Sequence, residues 1–278
     1  MLSYKHGYHA GNHADVMKHI ILLYLYKIEK NTNNSISYID THSGNGVYKY
    51  ISKYMDKNKE YKDGIKKIQN YKGNNILIKN YLSTITTITK KNNYYPGSPI
   101  FISSISGKKD KLFFSELHNN EYDLLKENLK KYTNIKILNE DGFEFVINKV
   151  NKDKNYFVFI DPSYEIKDDF NKVELILNNI DNQFSKSKII IWYPVINILE
   201  NDTFIQNIRK KGISNIINIE IPIMKYGDKV GLQGSGLLLI NFTNRSIIKN
   251  LKEVINEIQN ILKQEENITR SKLRYLWV

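Results

Sequence analysis

Apolar positions along this chain follow two alternating periods. Short runs rich in β-branched and aromatic residues occur at positions 35–40, 111–118, 135–138, 156–160, 187–195, 214–223 and 235–242, and each reads as a strand. Between them, apolar residues recur three and four apart. Val16, Ile20 and Leu23, beside Met17, Ile21, Tyr24 and Ile28, predict a helix from His13 to about Lys30, started by Asn12 followed by Asp15. Ile248, Leu251, Ile255, Ile258 and Leu262 predict another over about 246–263, and Pro99 opens a third. This alternation predicts an α/β fold with a mostly parallel sheet whose last two strands are antiparallel.

One stretch breaks the rhythm. Residues 47–95 are polar, lysine-rich and helical in pattern, with Tyr81, Leu82, Ile85 and Ile88 on one face. They read as a helical insertion (47–95) in a main domain formed by residues 1–46 and 96–278.

Composition narrows the classes. At 278 residues, with 41% hydrophobic and 25% charged residues, the chain can bury a large core. It has no cysteine, which excludes disulfides, thiolate metal sites and cysteine nucleophiles. The run Ile20–Ile28 is too short to span a bilayer, and no secretory layout is present, so no membrane association and a cytoplasmic location are expected. A net charge of +12 suits a polyanionic partner; a lysine bias on solvated faces is the bland alternative.

Polar residues cluster where strands end, which is where open α/β sheets bind ligands. Asp40 closes the first strand and is followed by His42 and by Gly44 and Gly46, whose missing side chains let backbone approach a ligand. The stretch lacks GxGxxG. Glu116 ends the second strand, where one carboxylate can accept two ribose hydroxyls, and Asp141 follows the third, where it can accept from an adenine amine. Ser98 can cap a helix or contact a ligand. The loop 224–234 and the tail 269–278 are basic; each reads as a plain connection or docking element, or as an RNA contact. The opening nineteen residues hold four of the six histidines, with Tyr4 and Tyr8. They admit three readings: a His6/His9/His13 metal site, a frayed terminus, or an arm over a substrate.

The segment YFVFIDPSYE, 156–165, carries the most specific chemistry. A nucleobase amine is a poor nucleophile because its lone pair is delocalised into the ring. Asp161 and the carbonyl of Pro162 can accept its hydrogens and favour the pyramidal nitrogen that attacks carbon. Tyr164 offers a face for an extruded base. The tetrapeptide Asp161–Tyr164 resembles motif IV, (D/N)PP(Y/F), of the S-adenosylmethionine-dependent amino-methyltransferases, with Ser163 in place of the second proline. That departure predicts a less rigid turn and a less firmly placed Tyr164.

Read together, SYKHGYHAGNHADVMKH, YIDTHSGNGVY, YYPGSP, ELH, EDGF, IDPSYE and WYPV stand in the order found in the RlmJ family of 23S ribosomal RNA adenine-N6 methyltransferases, which the chain resembles from residue 1 to at least 242. The resemblance implies a class I, Rossmann-like seven-stranded fold and S-adenosyl-L-methionine as donor, with no metal. It implies His19, His42, Ser98, Glu116, Asp141 and Gly142 as cofactor residues, with Lys18 beside them. Asp161 would be catalytic and shared between cofactor and base, with Pro162 and Tyr164, and Tyr4 would contact substrate RNA. Ser43 and Asn45 replace the family's small alanines in the glycine turn, which puts cofactor affinity in question. The implied reaction is direct in-line methylation of a flipped or unpaired adenine in 23S RNA by a monomer. A DNA adenine methyltransferase, a non-catalytic RNA-binding protein on this fold, and a nicotinamide oxidoreductase are the alternatives, the last opposed by the missing GxGxxG.

Overall fold

The computed structural model describes residues 6–50, 55–90, 92–150, 154–165, 168–179, 184–196, 198–227 and 231–276. The chain divides into two compact units, residues 1–148 and 149–278.

The first unit is built on three parallel strands, β1 (Ser37–Asp40), β4 (Lys111–Ser115) and β5 (Ile135–Leu138). β1 pairs with β4 and β4 with β5. Helices Ser98–Ile105 and Asn119–Leu129 fall between successive strands of this set, which is the Rossmann-like arrangement expected. Helix His13–Thr32 is buried from His13 to Leu23, its polar residues His13, Asp15, Lys18 and His19 along with the apolar ones. Asn12 caps it, its side-chain oxygen accepting from the Asp15 backbone N–H at 3.0 Å.

Residues 47–95 carry the helix Ile76–Thr89, with Tyr81 and Leu77 buried, and three shorter helical turns. They also contain two strands where only helix was expected. β2 (Val47–Lys49) and β3 (Tyr94–Pro96) pair antiparallel, so each end of the segment is stitched to the other. Three-residue strands carry too few positions to show a period.

The second unit has five strands, β6 (Phe157–Ile160), β7 (Lys188–Val195), β8 (Ile216–Pro222), β9 (Gly234–Ile240) and β10 (Lys272–Tyr275). β6 and β7 are parallel, whereas β7–β9, β9–β8 and β8–β10 are antiparallel. β6 is buried at all four positions. Helix Arg245–Leu262 buries Ile247, Ile248, Leu251, Val254, Ile255, Ile258 and Leu262, each worth roughly 1.5–3 kcal/mol of burial.

Setting aside the β2–β3 pair, the described strands of the main sheet therefore number eight, not the seven expected. The additional strand is β10, drawn from the tail, whose Arg274 and Tyr275 are exposed. Gln259 fixes it in place: its amide donates to the carbonyls of Pro222 and Thr269 and its oxygen accepts from Ser271 N. The tail thus docks as a strand on β8.

Candidate functional site

In the first unit the three parallel strands end in loops that meet. β1 runs into Asp40, fully buried, whose carboxylate accepts from Tyr38 Oη and from the backbone N–H of His42, both at 3.3 Å. The next residues turn through Gly44 and Gly46, with φ of +58° and +76°, a region in which side chains are strained. At Gly44 a Cβ would lie 2.2 Å from the Tyr48 hydroxyl.

Glu116, just past β4, is drawn against this turn. One oxygen accepts from Gly44 N and the other from His118 N, each at 2.8 Å. Burial, only partly offset by these N–H groups, pushes its carboxyl above the usual range. Asp141 follows β5 and caps the next turn through Phe143 N and Glu144 N. Gly142 has no room for a side chain, because a Cβ would fall 2.0 Å from the Thr41 carbonyl oxygen. The His42 ring packs edge-on against Phe143 at 4.8 Å.

His19 and Ser98 reach the same turn by other routes. Gly97 N donates to Gly46 O at 2.8 Å, which seats the start of helix Ser98–Ile105 beside the glycines. The cap of that helix is Gly97, without a side-chain bond, so Ser98 is its first residue and not its cap. Ser98 is buried as a residue, and no described residue hydrogen bonds to its hydroxyl. His19 is buried against Phe101, with Nδ1 2.7 Å from Tyr95 Oη, itself 3.0 Å from Tyr81 Oη. Burial depresses the His19 pKa to about 3, so the ring is neutral and Nε2 is its other polar atom. His42, Ser98, Glu116, Asp141, Gly142 and His19 are thus joined through one chain of contacts.

The substitutions in the glycine turn have local explanations. Ser43 Oγ donates to Asp40 O at 3.3 Å. Asn45 donates to Glu121 at 2.6 Å and accepts from Val47 N at 2.9 Å. Both side chains brace the turn they occupy.

Lys18 is buried, its ammonium 2.8 Å from Asp15 Oδ1. Asp15 Oδ2 also accepts from Gly11 N at 2.8 Å and meets His6 Nε2 at 3.0 Å. Burial pushes the Asp15 carboxyl up, but His6 and Lys18 outweigh it and hold it well below the usual range. His9 bonds Glu60 at 2.9 Å, and Asn12 donates to the same carboxylate at 3.0 Å. His13 is buried and its pKa is depressed to about 4. Each of His6 and His9 therefore has an acidic partner, and among the described residues no group of three or more metal-ligating side chains converges. Tyr4 lies outside the described residues.

The second unit presents Asp161-Pro162-Ser163-Tyr164 directly after β6. Tyr164 has φ +53°, a left-handed conformation that costs a non-glycine residue about 1–2 kcal/mol. It is 9% exposed. Its hydroxyl donates to Trp192 O at 2.7 Å and its N–H to Asp169 at 3.0 Å. Its ring lies 4.5 Å from Phe170 and 5.8 Å from Trp192. The looser Tyr164 expected from Ser163 is not what is found: contacts outside the tetrapeptide hold it. Ser163 itself accepts a long 3.4 Å bond from Glu165 N.

Sequence patterns did not single out Glu60 or Asp169, and they placed Tyr81 and Tyr95 only on a helix face and in a family string, not as partners that lead to His19. Their partners lie up to 76 positions away, and no spacing rule reaches that far. In the loop 224–234, of which 228–230 lie outside the described residues, Lys225 N donates to Glu265 and Tyr226 Oη to Glu220. No helix among the described residues is long and apolar enough to cross a membrane.

Residues 33–276 match the family model described as ribosomal RNA large subunit methyltransferase D, RlmJ. The chain is 33% identical over 245 residues to the ribosomal RNA large subunit methyltransferase J of Haemophilus influenzae, covering 87% of each. It is 30% identical over 244 residues to the protein of the same name from Escherichia coli, again covering 87% of each. A crystal structure of a Legionella pneumophila protein superposes with a TM-score of 0.83 at 30% identity, over 96% of this chain and 97% of that one.

Proposed function

The chain belongs to the RlmJ family of ribosomal RNA large subunit methyltransferases, and from that premise we propose that it methylates the N6 amine of one adenine in 23S ribosomal RNA. The observation that carries this reading is the Asp161–Tyr164 turn at the end of a fully buried strand, its aromatic residue locked in a left-handed conformation by Asp169 and Trp192. Such strain is retained where geometry matters to chemistry.

The residues of the first unit suit S-adenosyl-L-methionine. Glu116, oriented by two backbone N–H groups, retains lone pairs for ribose hydroxyls, and Ser98 offers a hydroxyl with no described partner. Gly142 keeps backbone close to Thr41, and Asp141 holds a carboxylate near the same loop. His19 and His42 complete the set, with Lys18 acting behind them through Asp15. When bound, the cofactor supplies an electrophilic methyl group for direct in-line transfer. Asp161 and the Pro162 carbonyl accept hydrogen bonds from the two amine N–H groups and direct the nitrogen lone pair outward. Tyr164 bounds the flipped base, and Tyr4 contacts the substrate nucleotide. Residues 1–46 and 96–278 form the catalytic body and residues 47–95 an insertion. The protein acts as a monomer in the cytoplasm and needs no metal.

The test is transfer of labelled methyl to protein-free, unmodified 23S RNA, followed by nucleoside analysis. N6-methyladenosine in the digest, absent with Asp161→Ala and absent from duplex DNA, is the expected result. Full activity of Asp161→Ala, or methylation of duplex DNA alone, overturns the reading.

A further inference from the structure

Residues 49–79 hold nine lysines against three acids, an excess of six within a chain whose total is +12. Two of those acids are already engaged: Glu60 takes His9 and Asn12, and Asp63 takes Lys67 at 3.5 Å. Lys57, Lys62 and Lys66 are exposed. Two of them are also held in position, Lys57 with its ammonium 5.5 Å from the Tyr8 ring and Lys66 5.2 Å from the Tyr50 ring. Tyr50 in turn lies 5.2 Å from Tyr61.

The surface is assembled from two distant stretches of sequence. Helix Met55–Asn58 packs on the turn His6–Tyr8. Ile65 N donates to Gly11 O at 2.8 Å, and a Cβ on Gly64 would lie 2.1 Å from that oxygen. Glu60 is the polar half of the same junction. The opening segment and the lysine-rich turns therefore form one face.

We propose that Lys57, Lys62 and Lys66, supported by Tyr8, Tyr50 and Tyr61, form a surface that takes the phosphate backbone of the RNA substrate away from the methylated base. An ammonium held over an aromatic ring keeps its N–H donors outward while losing less rotamer freedom on binding. Phosphates reward several such cations with affinity that depends on salt. The assignment rests on the RNA reading above and names a part of the protein that touches the substrate.

The experiment compares Lys57→Glu/Lys66→Glu with Lys249→Glu/Lys252→Glu, a pair exposed on helix Arg245–Leu262, in equilibrium binding to unmodified 23S transcript at several salt concentrations. The first variant should bind roughly tenfold more weakly at low salt, with the log–log salt slope reduced by about 1.4 for two single-strand phosphate contacts. The second should change affinity by less than about twofold. If the first variant loses its thermal transition, Lys57→Gln/Lys66→Gln replaces it, with about threefold weaker binding expected. Unchanged affinity, or equal weakening in both pairs, overturns the surface. Methyl transfer by the unaltered protein is scored separately: transfer with unchanged affinity in the variant sinks the surface and leaves the activity standing. A binding defect with no transfer by the unaltered protein does the reverse.

Discussion

In the first unit the polar groups at the strand ends are fixed by hydrogen bonds to backbone and to one another, whereas in the second the corresponding turn is fixed by aromatic packing around a strained residue. Glu116 and Asp141 each accept two backbone N–H groups, and Asp15 gathers His6, Lys18 and Gly11 N. Tyr164 is held by Phe170, Trp192 and two hydrogen bonds in a conformation it would not choose alone. A polar cofactor needs oriented acceptors that stay put, and backbone donors provide them at fixed geometry. On the proposed reading the second arrangement bounds a base that enters and leaves, a role that suits an apolar, packed wall. The first kind of site is sensitive to charge and pH, the second to shape.

The largest effect should come from removing the charge at the centre of the first arrangement. Asp15→Asn leaves the buried Lys18 ammonium without its carboxylate, and breaking a buried pair from one side costs about 3–5 kcal/mol. Urea unfolding should show that loss, together with loss of transfer. A change below about 1 kcal/mol would mean that Asp15 is not the centre of the network.

Acid should act on the same region next. His13 and His19 are neutral in the fold, with pKa values depressed by burial to about 4 and about 3 from 6.5. Between those values and 6.5 the unfolded chain binds more protons, so stability rises with pH and is lost on acidification through that window. Each group contributes up to about 1.4 kcal/mol per pH unit. Partnership with Glu60 raises the His9 pKa despite burial, so its contribution is complete below 6.5 and fades as pH rises through the raised value. Unfolding free energy measured from pH 7 to 4.5 should fall, with a shallower slope in His13→Asn. Equal slopes in the two proteins would show that His13 is charged in the fold.

How much of this was legible in the sequence follows the same division. The strands ending at Asp40, near Glu116 and at Ile160, and the helices starting at His13 and near Ser246, announce themselves because burial imposes period 2 or 3.6 on apolar residues. β10 does not, because none of its four positions is buried and Lys272 and Arg274 alternate with only two apolar residues, so burial imposes no apolar run there. The pairing of His9 with Glu60, 51 positions apart, and of His19 with Tyr95 depends on tertiary contact and leaves no local trace. The motif at 161–164 was visible, yet the residues that hold it were not, because Asp169 and Trp192 look like an ordinary helix acid and an ordinary strand aromatic.

The second arrangement should respond to smaller, shape-directed changes. Tyr164→Phe keeps the ring but removes the donor to Trp192 O, costing about 1–2 kcal/mol if that carbonyl is left without a replacement. On the proposed reading, in which Tyr164 bounds the base, loss of this bond should lower kcat several-fold and leave cofactor affinity unchanged. Calorimetric titration with S-adenosylmethionine beside single-turnover transfer separates the two effects. An equal loss in cofactor binding would mean that Tyr164 acts on the cofactor and not on the base.

The smallest effect expected is that of Ser163→Pro, which restores the residue common in motif IV. If rigidity of the tetrapeptide set the position of Tyr164, a second proline would stabilise the turn and raise kcat. The hydrogen bonds from Tyr164 to Asp169 and Trp192 and the packing on Phe170 already determine that position, and the only described bond of the Ser163 hydroxyl is the 3.4 Å contact with Glu165 N. Proline should therefore leave kcat within about twofold and stability within roughly 0.5 kcal/mol, the range of surface substitutions away from special features. A gain of tenfold or more would show that anchoring from outside the motif is incomplete, and that the serine leaves a freedom in the turn which the aromatic wall does not remove.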